Sequence, residues 1–180
     1  MLLTVKDLIA AFKFSADKHR KQRRKGEKDV PYINHPAAVA NLLAFTGGES
    51  DMVLLIASLL HDTIEDTNTT PIEIEERFGT EVLNVVLDVT DDMSLSKSVR
   101  KALQVEKAEE LSARAKMIKI ADKTCNILDM LETRFTWTRK QKIEYVNWSK
   151  AVVEHCRGIN EQLDKEFDKA VKIAESVLIS

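Results

Sequence analysis

The sequence is poor in residues that interrupt helices and in residues that cross-link small domains. Its 180 residues include 5 Gly, 3 Pro and 2 Cys. Low Gly and Pro content, together with apolar positions that recur at helical spacing, favours an all-α protein. The two cysteines, Cys125 and Cys156, form no CxxC or zinc-ribbon spacing. We therefore expect reduced thiols in a cytoplasmic protein.

Long apolar runs, a leader segment and a strong excess of basic residues are also missing. No apolar stretch approaches the roughly 20 residues of a membrane-spanning helix, so we expect no membrane partner. Residues 1–10, MLLTVKDLIA, lack a basic start followed by a long apolar core, which predicts no signal peptide. The formal net charge of −2 argues against a general nucleic-acid coat, and we expect no nucleic-acid partner.

Helix signals recur along the chain, whereas strand-like alternation of useful length does not occur. Capping residues predict helix starts at Thr4, Thr70, Thr80 and Thr138, and glycines predict stops near Gly26, Gly47 and Gly79. The predicted apolar face of the first helix consists of Leu8, Ile9, Phe12 and Ala16. The last helix is predicted to break or bend near Gly158. Together these signals predict a compact all-α bundle of roughly eight to ten helices.

A histidine and several acids stand at the end of an apolar run. Residues 51–66 are predicted to form one helix, whose first part, MVLLIASLL, is apolar on every side and therefore buried. The polar residues that follow are His61, Asp62, Glu65 and Asp66. At about 100° per residue they would share one broad face of that helix. A solvated helix end is the alternative, but it explains poorly a His-Asp pair directly after LLIASLL, because buried acids need a partner or a metal.

Two further polar residues interrupt apolar segments elsewhere in the chain. His35 precedes Pro36 at a predicted helix start, and Asp122 lies within IKIADKTCNIL. Taken singly, each is more often a capping residue or a satisfied core residue. Together with the His61–Asp62 pair they supply two imidazoles and two carboxylates, which suit Mn²⁺, Fe²⁺, Co²⁺ or Zn²⁺. We therefore predict one bound divalent metal ion, and we favour Mn²⁺.

The H…HD…D pattern resembles the ligand pattern of the HD-domain superfamily of metal phosphohydrolases. The segments RRKGEKDVPYINHPAAVA, ASLLHDTIEDT, FGTEVLNVVLDVTDD and KMIKIADKTCNI also follow the order and approximate spacing of the hydrolase domain of Rel/Spo-type alarmone proteins. The resemblance covers nearly the entire chain and implies a small alarmone hydrolase, with residues 1–180 forming a single HD domain. No synthetase segment precedes residue 180, so we expect hydrolysis without synthesis.

The resemblance implies that the chain removes the ribose 3′-pyrophosphate of ppGpp or pppGpp, giving GDP or GTP. The implied metal ligands are His35, His61, Asp62 and Asp122, and the implied catalytic acids, which orient and deprotonate the attacking water, are Glu65 and Asp66. The expected contacts to this small guanine nucleotide are Arg24, Lys25, Tyr32, Lys97, Asn126 and Tyr145. The basic run KHRKQRRK at 18–25 would attract a polyanionic substrate, although a solvated surface is its alternative explanation.

Several alternatives stay open at the level of the sequence. The same metal and water could remove the ribose phosphate of NADPH or act on other nucleotides. A catalytically silent nucleotide-binding scaffold is a second possibility, although a scaffold would not need Glu65, Asp66 and Asp122 together. Thr124 and Cys125 depart from the family pattern, which bears on packing around the base. A homo-oligomer is compatible with the sequence.

Alanine variants of the two predicted catalytic acids should separate catalysis from metal binding. Glu65→Ala or Asp66→Ala should retain the metal ion and lose most of the rate, on the order of 10²–10⁴-fold, because general-base assistance has this magnitude. Elemental analysis together with a ppGpp turnover assay measures both quantities. Loss of the metal from both variants would instead make these residues ligands.

Overall fold

The computed structural model describes residues 2–24, 30–132 and 136–179, and these ranges are predominantly helical. Their α-helices are α1 Val5–Lys18, α2 Asn34–Asn41, α3 Met52–Leu60, α4 Thr63–Asp66, α5 Pro71–Phe78, α6 Thr80–Val89, α7 Lys97–Glu106, α8 Ala113–Leu131, α9 Arg139–Glu154 and α10 Glu161–Ile179. The described ranges contain no β-strand, only an isolated bridge between Arg23 and Pro31. The predicted all-α bundle is therefore confirmed. None of the helices described is long and apolar enough to cross a membrane.

Local capping residues account for several helix boundaries. Thr70 and Glu73 form a reciprocal capping box with Pro71 in the first turn of α5, as the sequence predicts. A second capping box, at Thr138, begins α9. Of the break or bend predicted near Gly158, the structure shows a break, with this glycine at φ 85° in the turn between α9 and α10. These boundaries depend on neighbours in sequence, which is why they could be predicted.

Helix α3 lies at the centre of the bundle. All its residues from Val53 to Leu60 are buried, and it packs against α1, α2, α6 and α8. Asp51 caps its first turn by accepting hydrogen bonds from the amides of Val53 and Leu54. Each large aliphatic side chain buried in this way contributes roughly 1.5–3 kcal/mol. The packing of α3 therefore holds its C-terminal end, where His61 follows, in a defined place.

Helix α8 is the second inner helix, and it contacts α10, α9, α6 and α2. Its buried residues are mostly apolar, but Lys119, Asp122 and Lys123 are buried among them. Burial of charged groups in a helix of this kind requires partners within the protein. The polar residues of α8 therefore mark the side on which a site is to be sought.

The first helix differs from its prediction. It ends at Lys18, well before Gly26, which lies outside the described residues. Of its predicted apolar face, Ile9 and Phe12 are exposed, and the buried residues of the helix are Ala11, Phe14 and Ser15. The prediction was wrong because α1 carries apolar residues on more than one side. Contact with α3 and the ring of Phe78, rather than periodicity, selects the buried side.

Residues 51–66 do not form one helix, contrary to the prediction. Helix α3 ends at Leu60, and the single turn α4 begins after His61 and Asp62. Two side chains form hydrogen bonds with backbone carbonyl oxygens near the end of α3. His61 Nδ1 lies 2.7 Å from the Ser58 oxygen, and the Thr63 hydroxyl donates to the Leu60 oxygen. Such local bonds compete with the helix ladder. The positions of the polar residues are therefore set by this turn. They do not follow the regular spacing of about 100° per residue that the sequence analysis assumed.

Gly79 joins α5 to α6 with a backbone that other residues avoid. Its φ of 89° and ψ of 163° lie in a region that is essentially restricted to glycine. We expect Gly79→Ala to lower the free energy of unfolding by about 1–3 kcal/mol. Denaturant unfolding measures the effect, and Glu76→Ala, at an exposed position of α5, should change it by less than about 0.5 kcal/mol. Equal effects of the two substitutions would contradict the prediction.

Candidate active site

The four predicted metal ligands meet at one point. His35 is on α2, Asp122 is on α8, and His61 and Asp62 occupy the turn between α3 and α4. His35 Nε2 lies 3.1 Å from Asp122 Oδ1 and 3.7 Å from Asp62 Oδ2. His61 Nε2 lies 3.1 Å from Asp62 Oδ2 and 3.9 Å from Asp122 Oδ1. His35, His61 and Asp62 each place one possible ligand atom within 4.8 Å of the others, a spacing that one metal ion can bridge, and Asp122 Oδ1 lies beside both histidines.

The orientation of His61 suits a metal ligand. Its Nδ1 lies 2.7 Å from the Ser58 carbonyl oxygen, so this nitrogen carries the proton. Its Nε2 is buried, has no hydrogen-bond partner, and faces the two carboxylates. Metal-binding histidines are held in this way by a group on the opposite nitrogen. The partner is a backbone carbonyl, which no sequence pattern could have indicated.

Charges within the cluster are balanced by protons when no ion is bound. Burial lowers the pKa of His61, but the Asp62 carboxylate outweighs burial and raises that pKa to about 9. Burial likewise opposes ionisation of Asp62, yet His61 and His35 hold the pKa of Asp62 well below its usual range. A divalent ion would take over this role of the protons, because histidine ligates metals in its neutral form. The donor set therefore fits a divalent cation.

Lys123 belongs to this cluster although the sequence analysis missed it. Its Nζ donates to Asp122 Oδ2 at 2.8 Å and lies 4.5 Å from the centroid of the Trp148 ring. The Asn126 amide donates to the other oxygen of Asp122 at 2.5 Å. Burial alone would lower the pKa of Lys123, but the Asp122 carboxylate raises it. The sequence feature that could have indicated Lys123 is its position directly after Asp122 inside an apolar helix.

The two predicted catalytic acids lie beside the cluster but have different surroundings. Glu65 is half-buried, and its Oε1 accepts a hydrogen bond from the backbone N–H of Asp91 at 2.5 Å. Burial raises the pKa of Glu65 to about 7, although the hydrogen bond from Asp91 opposes this shift. Asp66 is exposed, and its backbone oxygen accepts a hydrogen bond from the Gln22 amide. The buried acid of the pair is therefore the one poised to exchange a proton near neutral pH.

A cavity of about 280 Å³ opens over the cluster. Its lining consists of Arg24, Tyr32, His35, Asp62, Glu65, Asp66, Asp122, Lys123, Asn126, Met130, Trp137 and Tyr145. Four of the residues predicted to contact the substrate therefore line this cavity, namely Arg24, Tyr32, Asn126 and Tyr145. Lys97 is not among the lining residues, but its Nζ lies 5.9 Å from the centroid of the Trp137 ring, which places it at the rim. Lys25, the remaining predicted contact, lies outside the described residues.

Arg24 and Tyr32 connect one wall of the cavity to the metal cluster. Arg24 donates to Asn126 Oδ1 at 3.0 Å, forms an ion pair with Asp129, and lies over the Tyr32 ring, 5.5 Å from its centroid. The Tyr32 hydroxyl donates to Asp62 Oδ2 at 2.6 Å. Tyr32 therefore contacts a predicted metal ligand directly, which its expected role in substrate binding did not include.

Aromatic side chains form the opposite wall. The Tyr145 ring centroid lies 5.3 Å from that of Trp137 and 5.4 Å from that of Trp148. Burial raises the pKa of Tyr145 to about 12, so its hydroxyl stays protonated at neutral pH. Flat rings of this kind offer faces on which a planar base can stack. Trp137 is a lining residue that the sequence analysis did not single out.

An all-helical bundle that gathers two histidines and two aspartates in the H…HD…D order is the arrangement typical of HD domains. A family model described as HD domain matches residues 11–146. The match covers most of the chain, and the protein therefore belongs to the HD-domain family.

Relatives within the family are similar over nearly their full lengths. Guanosine-3′,5′-bis(diphosphate) 3′-pyrophosphohydrolase MESH1 of Xenopus tropicalis is 46% identical over 162 residues, covering 89% of this chain and 90% of that protein. MESH1 of Homo sapiens is 46% identical over 166 residues, covering 92% and 93%. A solved metazoan orthologue of SpoT, described as hydrolysing ppGpp, has a TM-score of 0.90 at 38% identity and covers 96% of this chain and 98% of its own. The resemblance found in the sequence is thus confirmed.

The raised pKa of Glu65 predicts how its replacement changes stability with pH. The pKa is higher in the folded protein, about 7 against 4.5, so the folded state holds a proton that the unfolded chain releases. This stabilisation is present below the unfolded pKa and is lost as the pH rises towards 7. In metal-free protein, the free energy of unfolding of Glu65→Gln should therefore rise relative to that of the wild type by about 1–3 kcal/mol between pH 5 and pH 8.

Denaturant unfolding in the presence of a chelator measures this difference. Glu76→Gln, an exposed glutamate of α5, serves as the matched control and should follow the wild type at both pH values. A constant difference between Glu65→Gln and the wild type across this range would contradict the assignment of a buried, proton-binding Glu65.

Proposed function

We propose that the chain is a metal-dependent phosphohydrolase that removes the 3′-pyrophosphate of ppGpp and pppGpp, leaving GDP or GTP. The observation that carries the proposal is the group of His35, His61 and Asp62, with Asp122 beside it, next to a cavity that also contains acids and cations. Relatives 46% identical over most of their length are named for this reaction. A nucleotide tetraphosphate requires such a combination, because a purely acidic site would repel it.

The proposed ligands of the resident ion are His35, His61, Asp62 and Asp122. Their mixed nitrogen and oxygen donors suit a borderline divalent cation, and we propose Mn²⁺. When bound, the ion lowers the pKa of a water molecule and polarises a phosphate oxygen. The protein keeps the ligands oriented through Ser58, whose carbonyl holds His61, and Tyr32, whose hydroxyl holds Asp62.

Glu65 and Asp66 are the proposed catalytic acids, and Glu65 is the proposed proton acceptor. Its pKa of about 7 is close to the value at which a general base works best at neutral pH. The amide of Asp91 occupies its Oε1, which leaves Oε2 to take the proton from the attacking water. Asp66 lines the same cavity and is proposed to orient that water.

Positive and aromatic groups are proposed to bind the nucleotide. Arg24 and Lys123 line the cavity and supply positive charge among the acids, where forked or single contacts to phosphate oxygens are favourable. Tyr145 offers a ring face to the guanine, and Asn126 offers an amide for the nucleoside. The remaining proposed contacts are Tyr32, Lys97 at the rim, and Lys25.

We further propose that residues 1–180 act as one hydrolase domain in the cytoplasm. Both cysteines are free thiols, which agrees with a reducing compartment. The proposed partner is the small guanine nucleotide itself.

Removing one ligand tests the metal centre and the reaction together. Asp62→Ala should weaken metal binding by more than about 100-fold and abolish turnover of ppGpp, because it deletes one donor and the acceptor for Tyr32. Circular dichroism should show unchanged helical content. Asp88→Ala, an exposed acid of α6, should retain both metal and activity. An Asp62→Ala protein with full activity would refute the site.

The substrate class is tested by comparing ppGpp, NADPH and nucleoside monophosphates side by side with Mn²⁺. We expect release of pyrophosphate from ppGpp, identified by its product GDP. Turnover of monophosphates alone would refute the alarmone assignment while leaving the metal centre intact.

A further inference from the structure

Glu65 is held by a loop, and that loop needs support of its own. Its Oε1 accepts the backbone N–H of Asp91 at 2.5 Å, and Asp91 lies two residues beyond the end of α6. A loop amide is a reliable donor only if the loop is fixed, because connecting segments are the more mobile parts of a fold. The contacts that hold Asp91 therefore determine how well Glu65 is placed.

Gln104 of α7 holds the side chain of Asp91. Its Nε2 lies 2.9 Å from Asp91 Oδ1 and 2.8 Å from Oδ2, so one amide group holds both oxygens. Arg100 is farther away, with its NH1 3.7 Å from Asp91 Oδ2 and directed at the sulfur of Met93. The Asp91 side chain is only 13% exposed, and a carboxylate so enclosed depends on its donors.

A second contact fixes the start of the loop. Lys119 of α8 is buried, and its Nζ donates to the backbone oxygen of Val89 at 2.8 Å. The loop is therefore attached to α8 at Val89 and to α7 at Asp91. Lys119 lies one helical turn before the proposed ligand Asp122, so its replacement would disturb the metal centre as well. Gln104 is the attachment that can be altered separately.

Gln104 is placed behind the catalytic cavity and not in it. It is absent from the lining of the 280 Å³ cavity. It lines one of about 60 Å³ that is shared with Glu65 and with the proposed ligands His61, Asp62 and Asp122, and another of about 220 Å³ on the side of Asp91 and Arg100. A substrate in the 280 Å³ cavity would therefore not touch Gln104. As a neutral donor, it also leaves the negative charge of Asp91 in place beside Glu65, whose pKa that charge helps to raise.

We propose that Gln104 is a positioning residue for the hydrolysis, and that it holds Asp91 so that the Asp91 amide fixes Glu65 for proton transfer. The proposal rests on the catalytic role proposed for Glu65. It assigns α7 a function in catalysis, although none of the residues of that helix is buried.

A double-mutant cycle between Gln104 and Glu65 tests the proposal. Gln104→Leu should lower kcat for ppGpp about 10- to 100-fold, the cost expected when a reacting group is misplaced, and leave KM within about threefold. In the Glu65→Gln background, the same substitution should lower kcat by less than about twofold, because the residue it positions is already lost. Equal losses of kcat in both backgrounds would overturn the proposal.

Exchanging the hydrogen-bond donor and acceptor between positions 104 and 91 should rescue the activity that a single substitution removes. Gln104→Glu alone places two carboxylates face to face and should be as slow as Gln104→Leu. Adding Asp91→Asn restores one amide donor and one carboxylate acceptor in the same contact, and kcat should recover at least about tenfold over Gln104→Glu. A double variant as slow as Gln104→Glu would contradict the contact-based mechanism. This comparison remains informative even if Gln104→Leu fails to fold.

Structural controls accompany the kinetics. Gln162→Leu makes the same substitution at an exposed site of α10 and should leave kcat unchanged. Gln104→Leu should keep its bound metal and a Tm within about 4 °C of the wild type. Loss of metal from Gln104→Leu would overturn positioning in favour of a structural role. Absence of ppGpp turnover by the wild type would refute the proposed function. If the wild type is active and Gln104→Leu has the same kcat, only the positioning role of Gln104 is refuted.

Discussion

Two carboxylates withdrawn from water beside two imidazoles are the constraint on which the rest of this structure depends. Asp62 and Asp122 face each other across His35 and His61, and only protons or a cation can balance them there. The cluster joins α2, the turn after α3, and α8, so the three segments must keep their places. The apolar packing of α3 and α8 provides that rigidity, and a metal bound there would in turn stabilise the fold.

The positively charged side chains near this cluster lie at different distances from its carboxylates. Lys123 binds Asp122 directly, whereas Arg24 lies farther out, above Tyr32 and against Asn126. Cations therefore lie both at the cluster and farther along the cavity. A polyanionic substrate requires such positive charge, because an acidic cluster alone would repel it.

Much of the fold could be predicted because helix starts and stops depend on near neighbours in the chain. The capping boxes at Thr70 and Thr138 and the break near Gly158 are of this kind. The predictions that failed depend on contacts that hydrophobic periodicity does not report, one set distant in the chain and the other within a single turn. The buried side of α1 is chosen by α3 and Phe78. The break after Leu60 arises where His61 and Thr63 bond to carbonyls near the end of α3.

The sequence by itself determined the all-α class and the family, and it predicted four metal donors, because residue types in a recognisable order carry that information. Only the tertiary structure decided how those donors are oriented and supported. The Ser58 carbonyl behind His61 and the Asp91 amide on Glu65 are backbone groups. Every residue but proline carries the same pair of them. The local turn after Leu60 brings the Ser58 carbonyl to His61, whereas the packing of distant segments brings the Asp91 amide to Glu65. Neither contact can be recognised from residue types alone.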